Sequence, residues 1–193
     1  MSKAPRILAF AGSTRKDSFN KKLVQIAANG ARAAGAETTI IDLKDFPLPL
    51  FDEDLEAAQG SPEAARKLKK LMIEHDGFLI SAPEYNSSIS AVLKNAIDWA
   101  SRPAPQEPPL IAFKGKAAVL MSASPGALGG LRGLVHVRAI LGNIGVLVLP
   151  DQIAVPRAHE AFAPDGSLKD KNQQAGIEGL GRTLASFVAK LKA

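Results

Sequence analysis

Near the start of this chain, an apolar run breaks at a glycine into a polar loop, and a helical pattern follows. The run covers residues 8–11, the glycine is Gly12, and the loop continues to Asn20. This order predicts a strand, a loop and the start of a helix. The first N–H groups of a helix lack intrahelical acceptors, and the helix N-terminus carries roughly half a positive charge. A phosphate group fits at such a junction.

The loop carries side chains that suit a phosphate monoester. Ser13, Thr14 and Ser18 supply hydroxyls, Asn20 supplies an amide, and Arg15 is a cation with forked donors. The loop lacks the lysine of a nucleotide-hydrolysing P-loop and the glycine spacing of a dinucleotide fold. Two interpretations stay open: a phosphate-binding loop, and an ordinary turn between a strand and an N-capped helix.

Strands and helices alternate along the rest of the chain. Apolar and β-branched runs predict strands at residues 6–11, 37–43, 77–82, 116–123 and 145–149, the last stopped by Pro150. Apolar residues at helical spacing predict helices after each strand, the last carrying a stripe over residues 177–191. This alternation predicts one domain, residues 1–193, built on a parallel sheet with helices on both faces.

Two segments between these elements are unusual. Residues 45–58 are rich in apolar side chains but hold two prolines, so they are predicted to lack continuous regular structure and either to cover a ligand or to meet a partner subunit. The helix that starts near Ser61 carries a cluster of cations, predicted to face solvent for the most part rather than to bind nucleic acid: Arg66, Lys67, Lys69 and Lys70.

Composition narrows the functional classes. The net charge of +5 favours small anionic ligands, but the 24 basic residues are scattered among 19 acidic ones, so no nucleic-acid partner is expected. The absence of cysteine excludes disulfides, thiolate catalysis and iron–sulfur clusters. The three histidines lack metal-ligand spacing, which predicts no metal site. No signal-peptide pattern or membrane-length apolar run occurs, so we expect a cytoplasmic protein with no membrane contact.

Three polar loops follow strands at residues 12–20, 83–90 and 122–130. In open parallel sheets ligands bind at the carboxyl ends of the strands. The three loops therefore meet at one edge of the sheet. Together they fit a flat polar ring attached to a phosphate.

These loops carry motifs that resemble a known family. Gly12-Ser13 with Arg15, Ser18 and Asn20, then PEYNSSIS at 83–90 and LKNAIDWAS at 93–101, are similar to the NAD(P)H-dependent FMN reductases of the flavodoxin-like superfamily, which include chromate, quinone and azo-dye reductases. The resemblance spans nearly the whole chain. It implies a flavodoxin-like three-layer α/β sandwich with a five-stranded parallel sheet of order 2-1-3-4-5.

The resemblance also implies a site. The residues implied around the FMN phosphate are Ser13, Arg15, Ser18 and Asn20. Those implied at the isoalloxazine are Pro83, Glu84, Tyr85, Asn86 and Ser87, with Ser122, Ser124 and Gly126 at its other edge. Pro125 weakens the assignments in the third loop, because it removes a backbone N–H.

Glu84 acts either through its backbone or through an ion pair with a neighbouring subunit. Tyr85 either touches substrate or forms a wall or subunit contact, and Trp99 is predicted to pack in the core.

The function implied is a ping-pong oxidoreductase. A hydride passes from NADPH or NADH to bound FMN, and electrons then pass to a small-molecule acceptor: a quinone, a flavin, chromate or an azo compound. A flavin supplies its own reactivity, so no catalytic acid–base residues are predicted. Members of the family are commonly homodimers or homotetramers. The alternative is an FMN-binding electron carrier or regulatory flavoprotein without NAD(P)H turnover.

Overall fold

The computed structural model describes residues 3–192, so the two ends of the predicted domain lie outside the described residues. The strands are β1 (Arg6–Ala11), β2 (Glu37–Asp42), β3 (Gly77–Ser81), β4 (Glu84–Tyr85), β5 (Ser88–Ile89), β6 (Ala117–Ala123) and β7 (Leu147–Val155). The helices are α1 (Phe19–Ala33), α2 (Glu53–Gln59), α3 (Glu63–Glu74), α4 (Ala91–Ser101), α5 (Leu131–Asn143), α6 (Ala158–Ala161) and α7 (Lys171–Leu191). Within this range no helix has the length and apolarity needed to cross a membrane.

Five strands form one sheet in the order β2-β1-β3-β6-β7, and all neighbouring pairs are parallel. This confirms the predicted order of 2-1-3-4-5, since β4 and β5 form a separate small hairpin. Every residue of β6 is buried. Its continuous apolar sequence is what a strand covered on both faces requires.

The sheet separates two apolar cores. Successive side chains of a strand point to opposite faces, so Ile7 and Ala9 of β1 belong to the core under α1 and α7. Leu8 and Phe10 belong to the core on the opposite face, under α3, α4 and α5. The result is the predicted three-layer sandwich.

Two glycines let α1 and α7 pack closely. A Cβ on Gly30 would lie 2.0 Å from the Glu178 carbonyl oxygen, and a Cβ on Gly181 would lie 1.9 Å from the Ala27 carbonyl oxygen. No larger residue fits at either position without separating the helices. The pair of helices therefore covers one face of the sheet with backbones in direct contact.

The last strand is longer than predicted. Pro150 does not stop it, and β7 continues to Val155. The register with β6 shifts between Ala118 and Leu120, which marks a bulge in β7. Because β7 is an edge strand and Pro150 lies at this bulge, its missing N–H removes no ladder hydrogen bond that the sheet needs.

The segment 45–58 contains regular structure in its second half, so that part of the prediction is wrong. The Asp52 carboxylate caps α2 by accepting hydrogen bonds from the N–H groups of Asp54 and Leu55 at 2.8 and 3.3 Å. Both prolines precede this cap. An aspartate followed by an acidic first turn is a recognisable helix start.

The apolar loop before α2 is fixed to α4. The Asn95 amide donates to the Pro49 carbonyl and accepts from the Phe51 N–H, both at 2.8 Å. The Trp99 indole N–H donates to the same Pro49 carbonyl at 2.8 Å. Trp99 is 1% exposed, and the Phe51 ring packs edge-on against it. The predicted packing role of Trp99 is confirmed.

Candidate functional site

The three polar loops meet at the carboxyl edge of the sheet, around a recess of about 60 Å³. The predicted residues that line the recess are Ser13, Arg15, Ser18, Asn20, Pro83, Glu84, Tyr85 and Ser124. Three further residues that the sequence did not indicate complete the lining: Phe19, Ala123 and Pro125. The only sequence feature that pointed to Phe19 as a site residue was its position next to Ser18.

One side of the recess is the start of α1. Ser18 occupies the N-cap position, but its hydroxyl makes no capping hydrogen bond, and the first turn contains no acidic residue. Arg15 is exposed and forms no ion pair with a carboxylate of residues 3–192. The helix dipole and the Arg15 guanidinium therefore both leave positive potential at this side of the recess.

Asn20 connects the first loop to the rest of the sheet. Its side-chain amide donates to the Ala123 carbonyl at 2.8 Å. Its side-chain oxygen accepts from the Ala123 N–H at 3.0 Å and from the Ser81 hydroxyl at 2.8 Å. Asn20 is only 4% exposed. It acts first as a buried brace between the start of α1 and the carboxyl ends of β3 and β6, with one amide N–H left for a ligand.

The second loop forms the β4–β5 hairpin. Asn86 and Ser87 have φ angles of 49° and 65°, the left-handed conformation that a two-residue hairpin turn of this type needs at both central positions. The turn carries these two residues beyond the lining of the recess. Tyr85 lies at the recess and is 53% exposed.

Glu84 forms its ion pair within the chain. Its carboxylate accepts from the Arg132 guanidinium at 2.6 and 2.9 Å and from the Gly133 N–H at 3.1 Å. Burial raises the pKa of Glu84, but these hydrogen bonds and the Arg132 charge outweigh it, so the pKa lies below its ordinary value. Arg132 was not among the predicted site residues. The only sequence feature that pointed to it was its position at the start of the helix that follows the third loop.

A second contact fixes the hairpin to α5. The Ser88 hydroxyl lies 2.8 Å from His136 Nδ1. Together with the Glu84 contacts, this holds both strands of the hairpin against the first two turns of the helix. The Tyr85 side chain is thus presented from a braced hairpin.

The third loop covers Ser122, one of the residues predicted at the edge of the ring. Its side chain is fully buried, and its hydroxyl has no hydrogen-bond partner within the described chain. Gly130, at φ 95°, lies directly over it, and a Cβ there would be 1.9 Å from Ser122 Oγ. Ser122 therefore lies beneath the loop, and its contact with a ring stays a prediction. Gly126 is exposed and lies outside the lining of the recess, while Ser124 lines it.

The other side of the first loop borders a separate cavity of about 210 Å³. Thr14, Lys44 and the apolar loop residues Phe46 and Leu48 contribute to its walls. The apolar loop therefore borders a cavity next to the loop 12–20. A cavity at this place is what the predicted ligand-covering role of the apolar loop would require.

The described residues contain no group of three or more histidine, aspartate or glutamate side chains that could hold a metal ion. His75 is buried, and its two ring nitrogens contact the Leu71 carbonyl and the Thr39 hydroxyl at 2.6 and 2.8 Å. These contacts give His75 a structural role at the end of α3.

Comparison with known proteins adds an independent line of evidence. Residues 5–160 match the family model described as NADPH-dependent FMN reductase. The chain is 34% identical over 193 residues to an NAD(P)H-dependent FMN reductase of Pseudomonas aeruginosa, covering 100% of both chains. It is 29% identical over 194 residues to a quinone reductase of Escherichia coli, again covering 100% of both.

Solved structures agree. FerB, a flavoenzyme NAD(P)H:(acceptor) oxidoreductase from Paracoccus denitrificans, superposes with a TM-score of 0.80 at 30% identity, covering 97% of this chain and 98% of that one. A flavodoxin from the domain Archaea reaches a TM-score of 0.62 at 8% identity, covering 95% of this chain and 98% of that one. The second match concerns the fold alone.

Proposed function

This chain belongs to the NADPH-dependent FMN reductase family, and we propose that it transfers a hydride from NADPH or NADH to bound FMN and passes the electrons to a small acceptor. The observation that carries this proposal is the meeting of a positively charged, hydroxyl-lined loop with the braced hairpin at one edge of the sheet.

The residues of the recess fit the FMN phosphate. Ser13 and Ser18 offer hydroxyls, and the start of α1 offers backbone N–H groups without an acidic residue in the first turn. Arg15 offers forked donors to a phosphate. The one carboxylate at the recess, Glu84, is neutralised by Arg132 and does not repel an anion.

The residues of the hairpin would hold the flavin ring. FMN, when bound, supplies two-electron chemistry, so the protein must orient the ring and leave one face accessible. Pro83 and Tyr85 provide one wall, and Ser124 and Pro125 provide the other. Asn86 and Ser87, at the hairpin tip, would contact the ring only from the outside.

We propose a ping-pong sequence in which donor and acceptor use the same accessible face in turn. In the balanced reaction, NAD(P)H, one proton and the quinone give NAD(P)⁺ and the hydroquinone, so the quinone receives both the hydride equivalent and the proton. Quinones are the favoured acceptor class, since relatives from Escherichia coli and a Burkholderia species are named as a quinone reductase and a 2-hydroxy-1,4-benzoquinone reductase. Free flavin, chromate and azo compounds are further candidate acceptors.

We propose that the reaction takes place in the cytoplasm. The chain has no cysteine and forms no disulfides, so it does not need an oxidising compartment.

We further propose that the protein acts as a homodimer or homotetramer. Leu131 and Val135, in the first two turns of α5, are 43% and 59% exposed, and Leu128 in the turn before the helix is 50% exposed. Tyr85 is exposed on the hairpin that packs on the same helix. A contiguous apolar stripe of this kind marks a protein contact. A second copy docked there would lie beside the recess.

The decisive experiment is anaerobic stopped-flow mixing of FMN-reconstituted protein with NADPH and, separately, NADH, followed through the visible absorbance of the flavin. Rapid bleaching is expected, and reoxidation by quinones, flavin, chromate and azo compounds then ranks the acceptors. A Tyr85→Ala variant should alter one of the two half-reactions. If neither donor bleaches protein that demonstrably holds FMN, the protein is an electron carrier or a regulatory flavoprotein.

A further inference from the structure

A cavity of about 310 Å³ lies between α3 and the proline-rich loop that follows α4. It shares no lining residue with the recess at the sheet edge. Its surface is mostly apolar and includes Ile73 and Ala104, while its charged lining is predominantly basic. Four cations contribute: Arg66, Lys69, Lys70 and Arg102. The volume falls within the range of small-molecule sites, about 300 to 1,000 Å³.

The inner cations of this cavity are compensated. The Lys69 side chain is 12% exposed, forms an ion pair with Glu107 and donates to the Arg102 carbonyl at 2.7 Å. Arg102 pairs with Glu56 at 2.7 Å. Arg66, Lys67 and Lys70 are exposed, as predicted for most of the cluster, and Lys69 is the exception because the loop after α4 folds over it. These pairs fix the walls of the cavity.

The outer cations are compensated only weakly. The Arg66 guanidinium donates to the Ser61 carbonyl, and no carboxylate of residues 3–192 forms an ion pair with it. Lys70 lies 3.9 Å from Glu74, and both side chains are largely exposed, so this contact is weak. Two cations with unused donor capacity thus stand at the rim of an apolar cavity.

We propose that this cavity binds a small organic anion, namely a carboxylate attached to a planar or short aliphatic apolar body. The apolar body would displace water from the wall formed by Ile73, Ala104 and the methylene stems of the basic residues. The carboxylate would meet the Arg66 fork and the Lys70 ammonium. This site is separate from the proposed FMN reductase chemistry and does not depend on it.

The test is isothermal titration of the full chain with 2-naphthoate, in excess FMN so that the recess is filled. The matched neutral probe is 2-naphthamide. An Arg66→Gln/Lys70→Gln variant removes both charges at the rim of the cavity. Its control is Lys67→Gln. Lys67 is exposed on the same helix and pairs with Glu63, but it does not line the cavity. Ala104→Glu introduces a carboxylate into the wall and provides a second test.

We expect 2-naphthoate to bind at least several-fold tighter than 2-naphthamide, and the double variant to lose roughly tenfold in affinity, as two partly exposed charges allow. Lys67→Gln should match the unmodified protein, and Ala104→Glu should abolish binding while leaving FMN affinity unchanged. Equal binding of the two probes, unchanged affinity in the double variant, or no naphthoate binding would each overturn the proposal. None of these outcomes bears on flavin reduction.

Discussion

The Glu84 carboxylate is joined to the Arg132 guanidinium by two hydrogen bonds, of 2.6 and 2.9 Å, across 48 positions of sequence. The pair is largely withdrawn from solvent on the Glu84 side, whose side chain is 8% exposed. It fixes the hairpin that carries Tyr85 to the start of α5. We therefore propose that Glu84, which also lines the recess, acts mainly as a positioning residue through the hairpin.

Glu84→Gln should lower the rate of flavin reduction while changing FMN affinity little, since the phosphate loop is untouched. The pKa of Glu84 is lower in the folded chain than its ordinary value of about 4.3. The ion pair is therefore fully present above the ordinary pKa, and it is lost as the pH falls through the pKa of the folded chain. We expect the stopped-flow rate of the parent protein to show an acid-side loss that Glu84→Gln lacks. Asp98→Asn, which removes a surface ion pair with Lys94, is the control. An identical pH profile in Glu84→Gln would contradict the positioning role.

Arg15→Ala should weaken FMN binding by about ten- to a hundredfold, because a charge-assisted hydrogen bond to phosphate is lost. Flavin fluorescence quenching on titration measures this affinity. Lys16→Ala is the matched control, since Lys16 is the adjacent exposed cation and does not line the recess. Unchanged affinity in Arg15→Ala would remove the first loop from the phosphate site.

Asn20→Ala should lower the free energy of unfolding by about 2 to 4 kcal/mol, because it leaves the buried backbone of Ala123 and the Ser81 hydroxyl without partners. Urea unfolding of the FMN-free protein isolates this effect from ligand binding. Asn29→Ala, on the exposed face of the same helix, should change stability by less than about 0.5 kcal/mol. A loss of FMN affinity without a loss of stability would show that Asn20 acts on the ligand alone.

Gly181→Ala should destabilise the protein by about 1 to 3 kcal/mol, because its Cβ would collide with the Ala27 carbonyl of α1. Gly179→Ala, two residues away on α7, meets only the Arg182 side chain at 3.8 Å and should be neutral or stabilising by up to about 1 kcal/mol. Thermal unfolding of the two variants checks this contrast. Equal effects would mean that the two helices separate at little cost.

Val135→Asp should shift the protein toward the monomer if α5 is the contact between copies, because a charge would be buried in the interface. Light scattering after size-exclusion chromatography measures the mass. Leu191→Asp, at an equally exposed apolar position on α7, should leave the mass unchanged. An unaltered oligomer in Val135→Asp would place the interface elsewhere.

The structure shows which parts of the site depended on distant contacts. The loop 12–20 was predicted at a strand–helix junction, and it lies there. The Asn20 side-chain amide, however, forms hydrogen bonds with the backbone of Ala123, more than 100 residues away. Ser122 was placed correctly at the end of a strand, yet Gly130 covers it. Neither contact has a local sequence signal, because both depend on how the third loop folds back over the sheet.

The sequence by itself predicted the alternating strands and helices, the layers and the edge at which the loops meet, while the strand order was implied by the family resemblance. The continuous apolar runs of β1 and β6 require cover on both faces of the sheet. Parallel strands then bring their carboxyl ends together. Only the tertiary structure decided the partner of Glu84, the burial of Ser122, the partial burial of Lys69, and the passage of β7 through Pro150. Those outcomes depend on side-chain distances between elements far apart in the chain, which periodicity and composition do not encode.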